Sequence, residues 1–250
     1  MNTDLKGRVV LVTGGARDVG REIALAFAAE GATVAVNYNS SAEQAEAVAA
    51  DAKKVGGDGR AYKADVADYA AVKSMVDAIV KDYGRIDVLV NNAGYVKRQR
   101  FVDTTPEDWK RQIDIGLYGV IHTCHAVAPY MIKQNAGRIV NLAGDSARVG
   151  ENGLGITAAA RGGALSLTKS LARELGRANI TVNAIALGLI ETPHDAAWVD
   201  ENRDKLVRLY PMRRLGRTDD VAPMVVFLGS GRAGWVTGQV ISVNGGFSMS

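Results

Sequence analysis

The sequence predicts an α/β protein built on one doubly wound parallel sheet. Three observations predict it. Short, β-rich apolar runs alternate with longer segments of helical period. The runs are apolar nearly throughout instead of alternating with polar residues, as in a sheet covered on both faces. A glycine-containing turn joins the first run to the first helical segment. Strands spaced by helices of this length pair in parallel, because parallel strands need long crossovers and helices supply them.

Each element follows in order. Val9–Val12 is the first strand, Gly14–Gly20 the turn, and Arg21–Glu30 a helix that Gly31 closes as a C′ glycine. Thr33–Asn37 is a strand. Ala42–Val55 is a helix, ended by Gly56 and Gly57. Arg60–Ala64 is a strand, Tyr69–Tyr83 a helix and Ile86–Asn91 a strand. Pro106–Lys133 reads as one long helix or two. Arg138–Leu142 is a strand, Ala158–Leu175 a helix and Thr181–Ala186 a strand. Val221–Leu228 is a helix and Val240–Val243 the last strand. Polar residues interrupt the pattern over His194–Lys205, which reads as a mobile surface insertion. No linker or repeat divides the chain, so residues 1–250 are expected to form one domain.

Composition narrows the function. The chain has 250 residues, with 30 Lys and Arg against 27 Asp and Glu, a net charge of +3. That is too small, and too dispersed, for a nucleic-acid surface. The single cysteine, Cys124, forms no internal disulfide and suits a reducing compartment. The apolar run near the N-terminus is too short for a secretion signal, and no stretch approaches the ~18 apolar residues of a membrane span. A cytoplasmic protein with no membrane partner is expected.

The turn Thr13-Gly14-Gly15-Ala16-Arg17-Asp18-Val19-Gly20 is suited to a pyrophosphate, because a glycine turn lets backbone N–H groups and the following helix N-terminus approach the anion. By itself it is also compatible with a tight turn that binds nothing. Further segments accompany it: Ala64-Asp65-Val66, Asn91-Asn92-Ala93-Gly94, Thr181-Val182-Asn183-Ala184-Ile185, Gly188-Leu189-Ile190-Glu191-Thr192 and Asn244-Gly245-Gly246. In this order they resemble the short-chain dehydrogenases/reductases over essentially the whole chain.

The resemblance implies a seven-stranded Rossmann sheet of order 3-2-1-4-5-6-7 and NAD or NADP as cofactor. Residue by residue it places Gly14, Arg17, Asp18, Val19 and Gly20 around the pyrophosphate, and Asp65 and Val66 at the adenine. It places Asn91 and Gly94 at the central strand and adenosine ribose, and Ile190 and Thr192 at the nicotinamide carboxamide and phosphate. Two departures weaken the cofactor site. Asp18 stands where the turn's middle glycine belongs, adding bulk and negative charge beside an anion; alternatively it turns outward and caps the helix. Asn37 and Asn39 follow the second strand, where an acid would select NAD and a base NADP.

The family's chemistry uses Tyr and Lys one helical turn apart, with Ser and Asn. The matching positions here hold Thr157, Arg161, Gly144 and Gly116. Threonine has no accessible pKa near neutrality and arginine stays protonated, so neither relays a proton. No catalytic residue is therefore expected at these positions. A whole scaffold with an erased centre resembles the non-catalytic subunits of heteromeric hydroxyacyl-CoA dehydrogenases, such as that acting on 2-(α-hydroxybenzyl)succinyl-CoA. The expectation is a defective subunit, homo-oligomeric or paired with an active paralogue. Two alternatives stand beside it. One is an oxidoreductase or lyase with relocated chemistry. The other is a protein sensing nucleotide or acyl-CoA through Lys97-Arg98-Gln99-Arg100. Ser146 would reach the cleft if its loop shifted, and Asp145 is placed to plug the pocket by pairing with Arg161. His122 and His125 beside Cys124 read as packed or interface residues, not a metal site.

Overall fold

The computed structural model describes residues 3–193 and 196–249. Its seven strands are β1 (Val9–Val12), β2 (Thr33–Tyr38), β3 (Asp58–Lys63), β4 (Val88–Asn91), β5 (Gly137–Gly144), β6 (Ile180–Leu187) and β7 (Val240–Val243). All pair in parallel, in the order β3-β2-β1-β4-β5-β6-β7. The expected fold class is thus correct, for the physical reason given: β1 and β4 are buried along their whole length.

Helices cover both faces. On one lie α1 (Asp18–Ala29), α2 (Ala42–Lys54) and, numbered later in the chain, α9 (Thr218–Gly229); Ile23, Phe27, Val48 and Val225 fill the core between them and the sheet. On the other lie α3 (Tyr69–Tyr83), α4 (Pro106–Ile113), α5 (Gly119–Gln134), the short α6 (Ser146–Val149) and α7 (Gly155–Leu175). Met75, Ile79, Val127, Met131 and Leu175 pack there against Leu11, Leu89 and Ile139. Local signals explain the boundaries. Asp68 caps α3 by accepting from the N–H groups of Ala70 and Ala71, and left-handed Gly84 (φ +76°) ends it. Thr105 and Asp108 form a capping box ahead of α4, with Pro106 in its first turn.

The structure departs from expectation at two places. The polar stretch read as an insertion is the helix α8 (Ala196–Arg208); one side chain, Val199, is buried against Tyr210 and Leu215, so its apolar signal was one residue wide. His194 and Asp195 lie outside the described residues. The long segment is neither one regular helix nor two separate ones, because a π-helical turn, Asp114–Tyr118, joins α4 to α5. The combined helix, Pro106–Gln134, is long and apolar enough to cross a bilayer by length and composition, contrary to the reading above. Here Val120, Cys124, Val127 and Met131 face the core of the protein. The small residues of α7 serve an internal contact: a β-carbon at Gly163 would lie 3.0 Å from Leu117 Cδ1.

Candidate active site at the C-terminal edge of the sheet

Strand ends place the site. β1 runs into the glycine turn, β4 ends at Asn91 and leads to Gly94, β5 ends at Gly144, and β6 leads into Gly188–Thr192. In an open parallel sheet, ligands bind outside these carboxyl ends, where the strand order reverses.

The glycine turn admits no side chain at Gly20 and little room for one at Gly14. Gly14 adopts φ +60°, and a β-carbon on Gly20 would lie 2.2 Å from the Gly14 carbonyl oxygen. Asn92 holds the turn by donating from Nδ2 to the carbonyls of Thr13 (3.0 Å) and Gly14 (3.1 Å). The Thr13 hydroxyl accepts from the N–H groups of Asn92 and Ala93. α1 opens at Asp18, so its first-turn N–H groups have no helical acceptor and are the donors a diphosphate would take. The cradle fits a dinucleotide in every respect but Asp18. That residue is forced to φ +49°, a conformation that favours glycine. Its carboxylate lies 3.7 Å from Arg17 Nε, and no side-chain cap bond forms at this end of α1, so the capping alternative is not what the structure shows. Val19 is half-buried and packs against the core.

At the adenosine end, Asp65 accepts from the Ala67 N–H and from Asn39 Nδ2 (3.1 Å), which ties the loop after β3 to that after β2. Val66 is buried, with its carbonyl 2.9 Å from His122 Nδ1. Asn37 is consumed by the framework: its Oδ1 accepts from the Gly14 N–H (3.2 Å), and its Nδ2 donates to the Ala64 carbonyl (3.0 Å). It therefore has no free group for a ribose. Among the described residues no three His, Cys, Asp or Glu side chains gather at metal-binding distance. His125 meets Tyr69 Oη at 2.8 Å instead.

Removing the Asp18 side chain relieves left-handed strain and a negative charge together. We expect Asp18→Gly to raise dinucleotide affinity about tenfold, that is, by about 1.4 kcal/mol. Calorimetric titration of NADH and NADPH against both proteins measures this, and equal affinities would refute the role given to Asp18.

At the centre, Gly116 lies on the π-helical turn and Gly144 at the last residue of β5, while Thr157 and Arg161 stand on α7. The Thr157 hydroxyl is buried and donates to Gln112 Oε1 at 2.5 Å, so it is engaged in the framework. Arg161 reaches across the strand ends. A β-carbon at Gly94 would lie 2.9 Å from its Nη2, and one at Gly144 3.7 Å from its Nη1. Burial pulls its pKa below the usual arginine value, with no carboxylate raising it in return. The expected Asp145–Arg161 ion pair does not form. Asp145 is sealed from solvent and accepts from Asn244 Nδ2 at 2.5 Å, leaving Oδ1 without a partner. Ser146 needs no loop shift to join the centre: its Oγ would lie 3.5 Å from the same Gly144 β-carbon.

The loop after β6 is pinned by residues that sequence patterns did not reveal. Ile190 bridges to Gly216, and Tyr210 Oη accepts from the Leu189 N–H at 2.8 Å. Burial holds the Tyr210 hydroxyl above the usual phenol range, so it remains neutral. Thr192 lines a hollow with Val199 and Arg203 of α8. Tyr210 sits outside every recognised segment and is brought in only by the packing of α8.

This fold, with a glycine-turn cradle at the strand reversal, defines a nucleotide-binding α/β protein. Residues 14–248 match the family model described as enoyl-(acyl carrier protein) reductase. The chain is 42% identical over 239 residues to the 3-oxoacyl-[acyl-carrier-protein] reductase FabG of Staphylococcus aureus, covering 96% of this chain and 97% of that one. It is 39% identical to the FabG of Thermotoga maritima, covering 97% and 98%. A solved short-chain type dehydrogenase/reductase from Mycobacterium marinum superposes with a TM-score of 0.93 at 30% identity, covering 98% and 97%. The chain belongs to the short-chain dehydrogenase/reductase family, and that membership assigns NAD or NADP as its cofactor.

The expectation of a defective subunit supporting an active paralogue is corrected by these relatives. Chains about 40% identical over nearly the full length bear the names of reductases. Physically, that expectation treated four replaced side chains as an emptied centre. The structure instead puts a guanidinium and a serine hydroxyl there.

Proposed function

We propose that this chain is an NAD(P)-dependent oxidoreductase interconverting a carbonyl compound and an alcohol, with its 250 residues acting as one unit and its cofactor held weakly. The observation that carries the reading is the tight cradle: Gly14, Gly20 and Asn92 fix a turn with no room for a side chain at Gly20, a geometry that a simple strand-to-helix connection does not require. Reductase relatives over the whole length support the reaction class. When bound, the cofactor supplies or takes a hydride at the carbonyl carbon. Arg17, Val19 and the turn backbone hold the diphosphate, Asp65 and Val66 the adenine end, and Ile190 and Thr192 the carboxamide end. Tyr210 keeps the Ile190 loop in place. None of Gly116, Gly144, Thr157 and Arg161 moves a proton near neutrality, so the proton exchanges with water. Oligomers are the habit of this family. The exposed Tyr118, Ile132 and Trp235, with a half-buried β7, favour association with a second copy or with a related short-chain dehydrogenase.

Loss of side-chain general acid catalysis lowers rates by roughly 10²–10⁴-fold. We therefore expect turnover of acetoacetyl-CoA with NADPH below about 1 s⁻¹ yet above the uncatalysed background. A steady-state assay of the purified chain, alongside a binding titration, checks it. Saturating dinucleotide with no turnover on any 3-oxoacyl thioester, oxo acid or simple ketone would refute the reading.

A further inference from the structure

Two hydrogen-bond donors without acceptors converge on one point at the end of β5. The point is where a side chain at residue 144 would begin: Arg161 Nη1 lies 3.7 Å from it and Ser146 Oγ 3.5 Å. A third neighbour, the Leu187 carbonyl oxygen, lies 3.8 Å from the same point, so a β-carbon there would make ordinary contacts and nothing closer. Among the described residues Arg161 has no ion-pair or hydrogen-bond partner, and neither has Ser146 Oγ. The acids nearby in sequence are committed elsewhere. Asp145 faces Asn244, and Glu151 pairs with Arg98 at 3.3 Å. Thr157 is held by Gln112. A half-buried guanidinium with no counter-charge is unfavourable unless something neutralises it.

We propose that Arg161 and Ser146 form the receptor for a carboxylate carried by the substrate, seated beside Gly144. A carboxylate is planar with two oxygens and matches the guanidinium fork edge to edge, while a serine hydroxyl supplies a third donor. The other source of an anion, the cofactor diphosphate, belongs to the turn after β1. The guanidinium instead spans the ends of β4 and β5, which lie beyond β1 in the sheet order. In place of a group that passes a proton to the substrate oxygen, the site has a group that anchors a negative charge. The substrate is thereby an oxo or hydroxy acid. This rests on the oxidoreductase reading for the reaction and stands apart from it for the binding.

The test is calorimetric titration of the full chain, with and without NADPH, using acetoacetate and its uncharged analogue acetoacetamide. Acetoacetate is expected to bind about tenfold more tightly or better. Arg161→Met should abolish the preference, Arg161→Lys should retain part of it, and Ser146→Ala should weaken acetoacetate about threefold. Melting curves accompany each variant. If Arg161→Met melts early, Arg161→Lys and Ser146→Ala carry the test. Equal binding of the two probes overturns the proposal. So does a loss of inorganic pyrophosphate affinity in Arg161→Met as large as the loss for acetoacetate, because the counter-ion would then be the diphosphate. A charge preference without turnover leaves the receptor standing and overturns only the reaction.

Discussion

Gly20→Ala is expected to abolish dinucleotide binding and to lower stability by about 3 kcal/mol, the upper part of the range for overpacking. The added methyl would lie 2.2 Å from the Gly14 carbonyl oxygen and 2.6 Å from Asn92 Nδ2, well inside contact distance. The oxygen is backbone and cannot swing aside, so the turn must open. Opening breaks the Asn92 bonds to Thr13 and Gly14 and disperses the N–H groups that a diphosphate needs. Gly176→Ala is the control, since a β-carbon there meets open space and the residue is in a right-handed helical conformation. Differential scanning calorimetry and an NADPH fluorescence titration read both effects. Normal NADPH affinity in Gly20→Ala would mean that the turn is not the cradle, and the functional reading would fall with it.

Asn91→Leu is expected to cost about 3 kcal/mol, or about 10 °C in melting temperature for a chain of this size. Asn91 is buried and accepts from Thr123 Oγ1 at 2.6 Å while donating to Asn141 Oδ1 at 2.8 Å; Asn141 in turn donates to Thr168 Oγ1 at 2.8 Å. The chain of bonds ties α5 to β4, β5 and α7; β4 leads to Gly94, and β5 and α7 carry Gly144 and Arg161. Leucine at 91 leaves the Asn141 carbonyl oxygen buried without a donor, and desolvating that group is the main cost. Replacing both asparagines by leucine should therefore cost less than the sum of the single changes. Strict additivity in a double-mutant cycle would show that the bond between them contributes nothing.

Much of the fold was legible because it depends on local and periodic signals. Tyr69–Tyr83 and Val240–Val243 are bounded as their apolar period and flanking residues imply, and Gly31 ends its helix at φ +80°. The helix Ala196–Arg208 was not legible, since a helix that buries one side chain leaves no stripe to read. The π-helical turn at Asp114–Tyr118 was hidden for a different reason: it changes the hydrogen-bond register without changing composition.

The site divides in the same way. The sequence alone determined which residues stand at the spacing of the resembled family: Gly14, Gly20, Asp65 and Gly94 in its cofactor-binding order, Asp18 within the turn, and Gly116, Gly144, Thr157 and Arg161 where that family keeps its proton relay. Those are matters of residue identity at fixed spacing. Only the tertiary structure decided where the replacements point. Thr157 turns to Gln112, Asp145 turns away from Arg161 to Asn244, and Tyr210 arrives from a distant segment to hold Leu189. Side-chain direction depends on which elements pack together, and a guanidinium left without a carboxylate is visible only once all its neighbours are in place.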